Sequence, residues 1–341
     1  MNDSYDASKP HHTPQGFRNT AATSSRTTGD FLRWQRERRQ LDIPAPKVDL
    51  SVVAPDLPFI RSNRTQFAAT YIGHATVLVQ VGGVNVLTDP HFSKRAFPVQ
   101  FAVPKRWQPP GVALADLPHI DVVLISHNHY DHLDTDSVIA LSKQADGAPV
   151  FLVPLGIDRW MQKAGIKNFH ALDWWQQHSV GALQITFVPA QHWSRRTLSD
   201  RNETLWGGFV GQTVKTGQTA KTGQSGGRSF YFAGDTGYGP DFVAIGERFG
   251  GIDLALIPIG AYEPRWFMSD QHVNPDEAIQ IHRDIKARRS VGIHWGTFLL
   301  TDEPLDQPLA DLATARKKAG IGAEEFLTLR HGQTLNLDKD Q

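Results

Sequence analysis

Cysteine is absent from all 341 residues. That excludes disulfides, thiolate metal ligands, zinc ribbons and a cysteine nucleophile, so any metal must be held by His, Asp or Glu. An excess of one charge is also lacking: Lys+Arg and Asp+Glu both number 35. Nothing global therefore draws the chain to nucleic acid, and no nucleic-acid partner is expected. No run approaches the roughly 20 apolar residues that span a bilayer, and "MNDSYDASKPHHTPQ" has no apolar signal core. The expectation is a soluble, cytoplasmic protein.

What the chain does contain is length enough for a substantial core. Residues 1–50 read as an arm and a helix, with 1–29 loosely held because they are polar and aperiodic. "GDFLRWQRERRQL" predicts that helix, with Asp30 as N-cap, Phe31, Trp34 and Leu41 near one face, and Arg33, Arg36, Arg38 and Arg39 on a solvated face. Residues 51–341 read as one domain. "TVLVQV", "GG" and "VNVLTD" predict a β-hairpin. "IDVVLIS", "PVFLVP", "LQITFVPA", "RSFYFAGD" and "DLALIPIG" predict strands, while "DTDSVIALSKQ", "GIDRWMQKAG" and "NPDEAIQIHRDIKA" predict helices. The mixture of hairpins and βα units suggests an α/β chain with a sheet-on-sheet core and helices outside. The repeated "KTGQ" within 214–227 has almost no apolar content and reads as a flexible loop insertion.

The chemistry is concentrated in "ISHNHYDHLD", residues 125–134. His127 and His129, two apart on a strand, would face one ion, and Asp131 and His132 in the following loop would face a second. His192, Asp235 and His294 each follow an apolar strand, and glycines beside Asp235 and His294 allow close backbone approach. Imidazole and carboxylate suit two Zn²⁺ ions, with Fe or Mn equally compatible by ligand type. A hydroxide between two such ions is a nucleophile near neutral pH. Asp235 is the natural bridging carboxylate.

H-x-H-x-D-H followed by a lone His, a lone Asp and a last His resembles the metallo-β-lactamase superfamily. That resemblance implies a four-layer αββα sandwich of two mixed sheets with a binuclear metal site at one edge. Longer strings, among them "GHATVLVQ", "LTDPHFSKRAFP", "LDWW", "QHWSRRTLSDRNETLWG", "YFAGDTGY", "IPIGAYEPRWFM", "QHVNPDEA" and "HWGTF", resemble the phospholipases D that hydrolyse N-acylphosphatidylethanolamines. This likeness runs from about residue 65 to 335 and makes 51–341 a catalytic domain. It implies that His127, His129 and His192 hold one metal, that Asp131, His132 and His294 hold the other, and that Asp235 bridges them. It also implies catalytic roles for Asp131, Asp89 and His272. Asp89 would orient a ligand imidazole, and His272 would contact the phosphate or protonate the leaving alkoxide.

Tyr130, Trp193, Arg195 and Arg196 are the further substrate-binding candidates, since indoles line apolar channels and guanidinium groups hold phosphate. Trp174, Trp175, Trp206, Trp266 and Trp295 also fall near predicted loops or ligand-bearing strand ends. The expected reaction releases an N-acylethanolamine and phosphatidic acid from a phospholipid, with peripheral membrane contact and a homodimer as one option for assembly. Competing readings are a lactonase or small-molecule phosphodiesterase of the same superfamily, and a non-catalytic lipid-binding module.

Overall fold

A computed structural model describes residues 4–21, 23, 26–96, 105–214 and 227–339. The arm pairs β1 (His12–Thr13) with β2 (Gly16–Phe17) and leads to α1 (Thr28–Arg38) and α2 (Leu57–Ser62). β3 (Ala68–Gly73), β4 (Thr76–Val81) and β5 (Val84–Thr88) then form an antiparallel meander. β6 (Val122–Leu124), α3 (Thr135–Leu141), β7 (Val150–Pro154), α4 (Asp158–Lys163) and β8 (Phe169–Leu172) extend that sheet in parallel. The second sheet begins antiparallel with β9 (Gln177–Val180), β10 (Leu183–Val188), β11 (Gly208–Thr213) and β12 (Ser229–Phe232). It continues in parallel through α5 (Asp241–Phe249), β13 (Ile252–Pro258), α6 (Arg265–Met268), α7 (Pro275–Asp284), β14 (Ala287–Ile293), α8 (Gln307–Ala319) and β15 (Phe326–Thr328). Finally β16 (Thr334–Asn336) returns to the first sheet beside β3.

Alternation along each strand sorts the layers. In β4, Val77, Val79 and Val81 join the core shared with Ile185, Phe187 and Phe230 of the other sheet. Leu78 points the other way, into a cluster with Ile60 of α2, Val138 of α3 and Met161 of α4. Both faces are covered, which is why all six β4 residues are buried, Thr76 and Gln80 among them. The result is the expected αββα arrangement of two mixed sheets. α7 starts as its sequence predicts: Pro275 follows Asn274, whose side chain accepts from Glu277 N at 2.9 Å while Glu277 accepts from Asn274 N at 3.0 Å.

Three local expectations change. α1 is capped by Thr27, not Asp30; Asp30 sits at the third helical position and accepts from Thr27 N at 2.8 Å, closing a capping box. Of its predicted face, Trp34 is buried against Phe267, whereas Phe31 and Leu41 are exposed. The arm is fastened rather than loose. Phe17 is buried, and Lys9, His11 and His12 all bond the buried carboxylate of Asp173. Between β11 and β12, the "KTGQ" loop at 215–226 lies outside the described residues.

Candidate metal centre

The chemistry-bearing residues gather at one end of the sandwich, beyond the carboxyl ends of the parallel strands, the usual place for ligands in such sheets. From the first sheet, β5 delivers Asp89 and β6 runs into His127–His132. From the second, the segment after β10 delivers His192, β12 leads to Asp235 and β14 to His294. β6 ends at Leu124, so His127 and His129 are presented by the following turn and not by the strand itself. That turn closes through His129 O, which accepts from His132 N at 3.1 Å and Leu133 N at 2.9 Å. Gly234 is required just before Asp235. Its φ is +66°, and a Cβ there would lie 2.7 Å from Ser126 Cβ across the two sheets.

Two donor groups result. His127, His129 and His192 form one, with His192 Nε2 3.2 Å from His129 Nδ1. Asp131, His132 and His294 form the other, with Asp131 Oδ2 3.3 Å from His132 Nε2 and 3.5 Å from His294 Nε2. Asp235 stands between them. Its Oδ2 is 3.9 Å from His127 Nε2, 4.0 Å from His192 Nε2 and 3.0 Å from His132 Nε2, and its Oδ1 is 3.3 Å from His294 Nε2. His127 Nε2, His129 Nε2, His132 Nε2, His294 Nε2 and Asp235 Oδ1 are buried without a hydrogen-bond partner. Buried nitrogens and oxygens without hydrogen-bond partners, gathered within a few Å of one another, fit metal ions, which would compensate their desolvation.

The backs of the ligands are held. Asp89, fully buried, accepts from Ser126 N at 2.7 Å, Ser126 Oγ at 2.5 Å and His132 Nδ1 at 2.6 Å. Ser126 Oγ in turn accepts from His127 Nδ1 at 2.8 Å. One carboxylate therefore fixes the tautomer of an imidazole in each group, directly for His132 and through a serine for His127, leaving both Nε2 atoms for metal. His192 Nδ1 donates to Gln271 O at 3.0 Å with the same effect. Burial lowers His129 to about 4 and His192 to about 3, and holds His127 well down, so these imidazoles are in the neutral, ligating form. For Asp131 and Asp235 burial pushes upward, but the facing imidazoles prevail and hold both carboxyls well below the ordinary range.

A cavity of about 460 Å³ opens from the metal donors. Tyr130, Trp193, Arg195 and His272 line it, as do His129, Asp131 and Asp235, while Phe31, Trp34, Phe267, Met268 and Leu300 give it an apolar wall. Burial keeps the His272 ring neutral, lowered to about 3, and its Nδ1 is unpartnered 3.9 Å from Asp235 Oδ2. Arg196 corrects the sequence expectation. Its guanidinium donates to Asn128 O, Leu133 O and Thr135 Oγ1 and lies over the Tyr130 ring, so it braces the ligand turn from behind and does not line the cavity. Of the other tryptophans, Trp174, Trp206 and Trp295 are core residues.

Sequence reasoning missed three residues. Arg201 lines the cavity, stacked on Trp193 at 4.9 Å. Asn19 of the arm brackets a ligand: its Oδ1 accepts from His192 N at 3.2 Å and its Nδ2 donates to His192 O at 2.9 Å. His74, in the turn between β3 and β4, reaches Asp131 Oδ2 at 2.9 Å. The Gly-His pair at the end of a strand was the available signal for His74.

Residues 84–295 match the family described as Beta-lactamase superfamily domain. The chain is 44% identical over 282 residues to N-acyl-phosphatidylethanolamine-hydrolyzing phospholipase D 1 of Caenorhabditis elegans, covering 78% of this chain and 74% of that one. It is 37% identical over 258 residues to the mitochondrial N-acyl-phosphatidylethanolamine-hydrolyzing phospholipase D of Saccharomyces cerevisiae, covering 74% and 52%. Its fold is shared with a "possible metal-dependent hydrolase" of Veillonella parvula, with a TM-score of 0.61 at 15% identity over 80% of this chain and 100% of the other. The chain thus belongs to the β-lactamase superfamily of metal-dependent hydrolases and, within it, to the family of the N-acyl-phosphatidylethanolamine-hydrolyzing phospholipases D.

Proposed function

We propose that the protein is a binuclear phosphodiesterase of the phospholipase D type that cleaves N-acylphosphatidylethanolamine to N-acylethanolamine and phosphatidic acid. The observation that carries this is one cavity with two kinds of lining. His129, Asp131 and Asp235 of the donor groups line it together with the apolar side chains of Phe31, Trp34, Phe267, Met268 and Leu300. A phosphodiester with a long acyl substituent has the same division. Two divalent ions at these donors, zinc among those that imidazole and carboxylate suit, would supply an activated water and positive charge facing the phosphoryl oxygens.

The chain's own groups do the rest. Arg195 and Arg201 give the cavity a cationic rim for the phosphate. His272, kept neutral by burial, offers a ring N–H to a phosphoryl or leaving oxygen without carrying charge of its own. Water oxygen ends on phosphorus, and the bond to the ethanolamide oxygen breaks. Phe31 both lines the cavity and is 47% exposed, and its neighbour Leu32 is 62% exposed, so α1 is the natural contact with a lipid surface.

The test is hydrolysis of N-acylphosphatidylethanolamine vesicles in ¹⁸O-water. Label is expected in phosphatidic acid, with activity lost in Asp235→Asn. Label in the ethanolamide, full activity in that variant, or turnover only of soluble lactones would overturn the assignment.

A further inference from the structure

The second donor group holds one more histidine than the metal pattern provides. His74 is 1% exposed and its ligand nitrogen lies within 4.8 Å of those of Asp131, His132 and His294. It occupies the β3–β4 turn with φ +56°, a left-handed conformation that costs a residue with a Cβ about 1 kcal/mol or more and calls for compensation from its surroundings. The compensation is specific. His74 N donates to Thr297 Oγ1 at 2.8 Å, and His74 O accepts from His294 N at 2.8 Å. Its ring packs against the His294 ring with centroids 4.0 Å apart, and its Nε2 reaches Asp131 Oδ2 at 2.9 Å. The turn is thereby tied to two of the three residues of the second group.

The chemistry of Asp131 explains the need. Asp131 sits on the turn after β6, its side chain is 17% exposed, and it lines the cavity. Left to itself, such a carboxylate can rotate its oxygens towards solvent. Oδ2, the oxygen that faces His132 Nε2 and His294 Nε2, has two lone pairs. One can go to an ion while the other accepts N–H from His74, and the hydrogen bond then fixes the direction of the first.

We propose that His74 is a positioning residue for the second metal, aiming Asp131 through its Nε2–H and His294 through its backbone carbonyl. This rests on the binuclear reading above and concerns one half of that site.

The experiment measures metal rather than turnover. Wild type, His74→Ala and His74→Gln are stripped of metal and titrated with zinc against a chromophoric chelator, and bound equivalents are counted by mass spectrometry. Wild type should take two equivalents. In His74→Ala one step should remain and the other weaken by about 10–100-fold, the usual cost of removing a group that orients a ligand. His74→Gln, whose amide nitrogen can stand where Nε2–H stood, should recover part of that loss. Two equivalents at wild-type affinity in His74→Ala overturn the proposal, as does equal weakening of both steps, the mark of a merely loosened turn. Glutamine no better than alanine also overturns it. A wild type that binds only one equivalent instead brings down the binuclear reading, and the proposal with it.

Discussion

Burial holds several histidines of this protein neutral, in two different settings, whereas at His132 and His294 the facing carboxylates of Asp235 and Asp131 outweigh it and raise the ring. At His127, His129 and His192 burial keeps an imidazole neutral and ready for metal. At His331, which bonds Thr297 Oγ1 at 2.8 Å and Gln108 Nε2 at 3.0 Å, it lowers the ring to about 3 in a purely structural setting. The linkage has a definite sign. The folded ring stays neutral while the unfolded one protonates near pH ~6.5, so stability falls as pH drops through that value and levels off only near 3. The slope in that window is about 1.4 kcal/mol per pH unit. Urea unfolding of the metal-free protein at pH 7 and pH 5 should therefore cost wild type about 2 kcal/mol more than His331→Gln; equal losses would show that His331 does not set the acid limit. Legibility at this scale followed sequence distance. His127, His129, Asp131 and His132 declared themselves because they are adjacent, and Asp89 was reached through the family likeness. His74 and Asn19 were not read as functional because their partners lie 57 and 173 residues away.

Among the elements, the arm departs most from its composition. Polar, aperiodic residues read as loosely held, yet one buried aromatic and a few directional bonds fix them: Phe17 in the core, the Asp173 clasp, and Asn19 across the backbone of His192. Asn19 Oδ1 also accepts from Trp206 Nε1 at 3.0 Å. Asn19→Ala should leave the backbone N–H and C=O of His192 without this partner, at about 1–3 kcal/mol, and speed amide exchange at His192 while weakening the first metal group. Asp173→Asn should instead speed exchange around His11 and His12 with little effect at His192. Unchanged exchange at His192 in the first variant would mean that the arm covers the site without holding it. The regular elements were far more legible. Alternation located the hairpin of β4 and β5, and Pro275 with Asn274 located α7. Boundaries were less so: the capping box moved the start of α1 to Thr28, and the last β6 residue fell before the histidines, because local hydrogen bonds set ends that periodicity cannot.

At the scale of the molecule, the donors are divided between the two sheets. Asp89 and the His127–His132 turn come from the first, and His192, Asp235 and His294 from the second, so each metal group is completed only when the sandwich is closed. Without ions, the same end of the sandwich carries buried imidazole nitrogens with no partner, a standing cost where the sheets meet. Metal bound only by the closed form must then stabilise it, by about 2.7 kcal/mol at a free concentration 100 times the dissociation constant. For a chain of 341 residues that corresponds to a rise in Tm of roughly 4 °C. Thermal unfolding with and without a chelator should show that shift in wild type, and a clearly smaller one in Asp235→Asn, whose amide is a poor bridge between two cations. An equal shift in both would mean that metal binds to one sheet alone, and that packing of the apolar core, with no help from the site, holds the halves together.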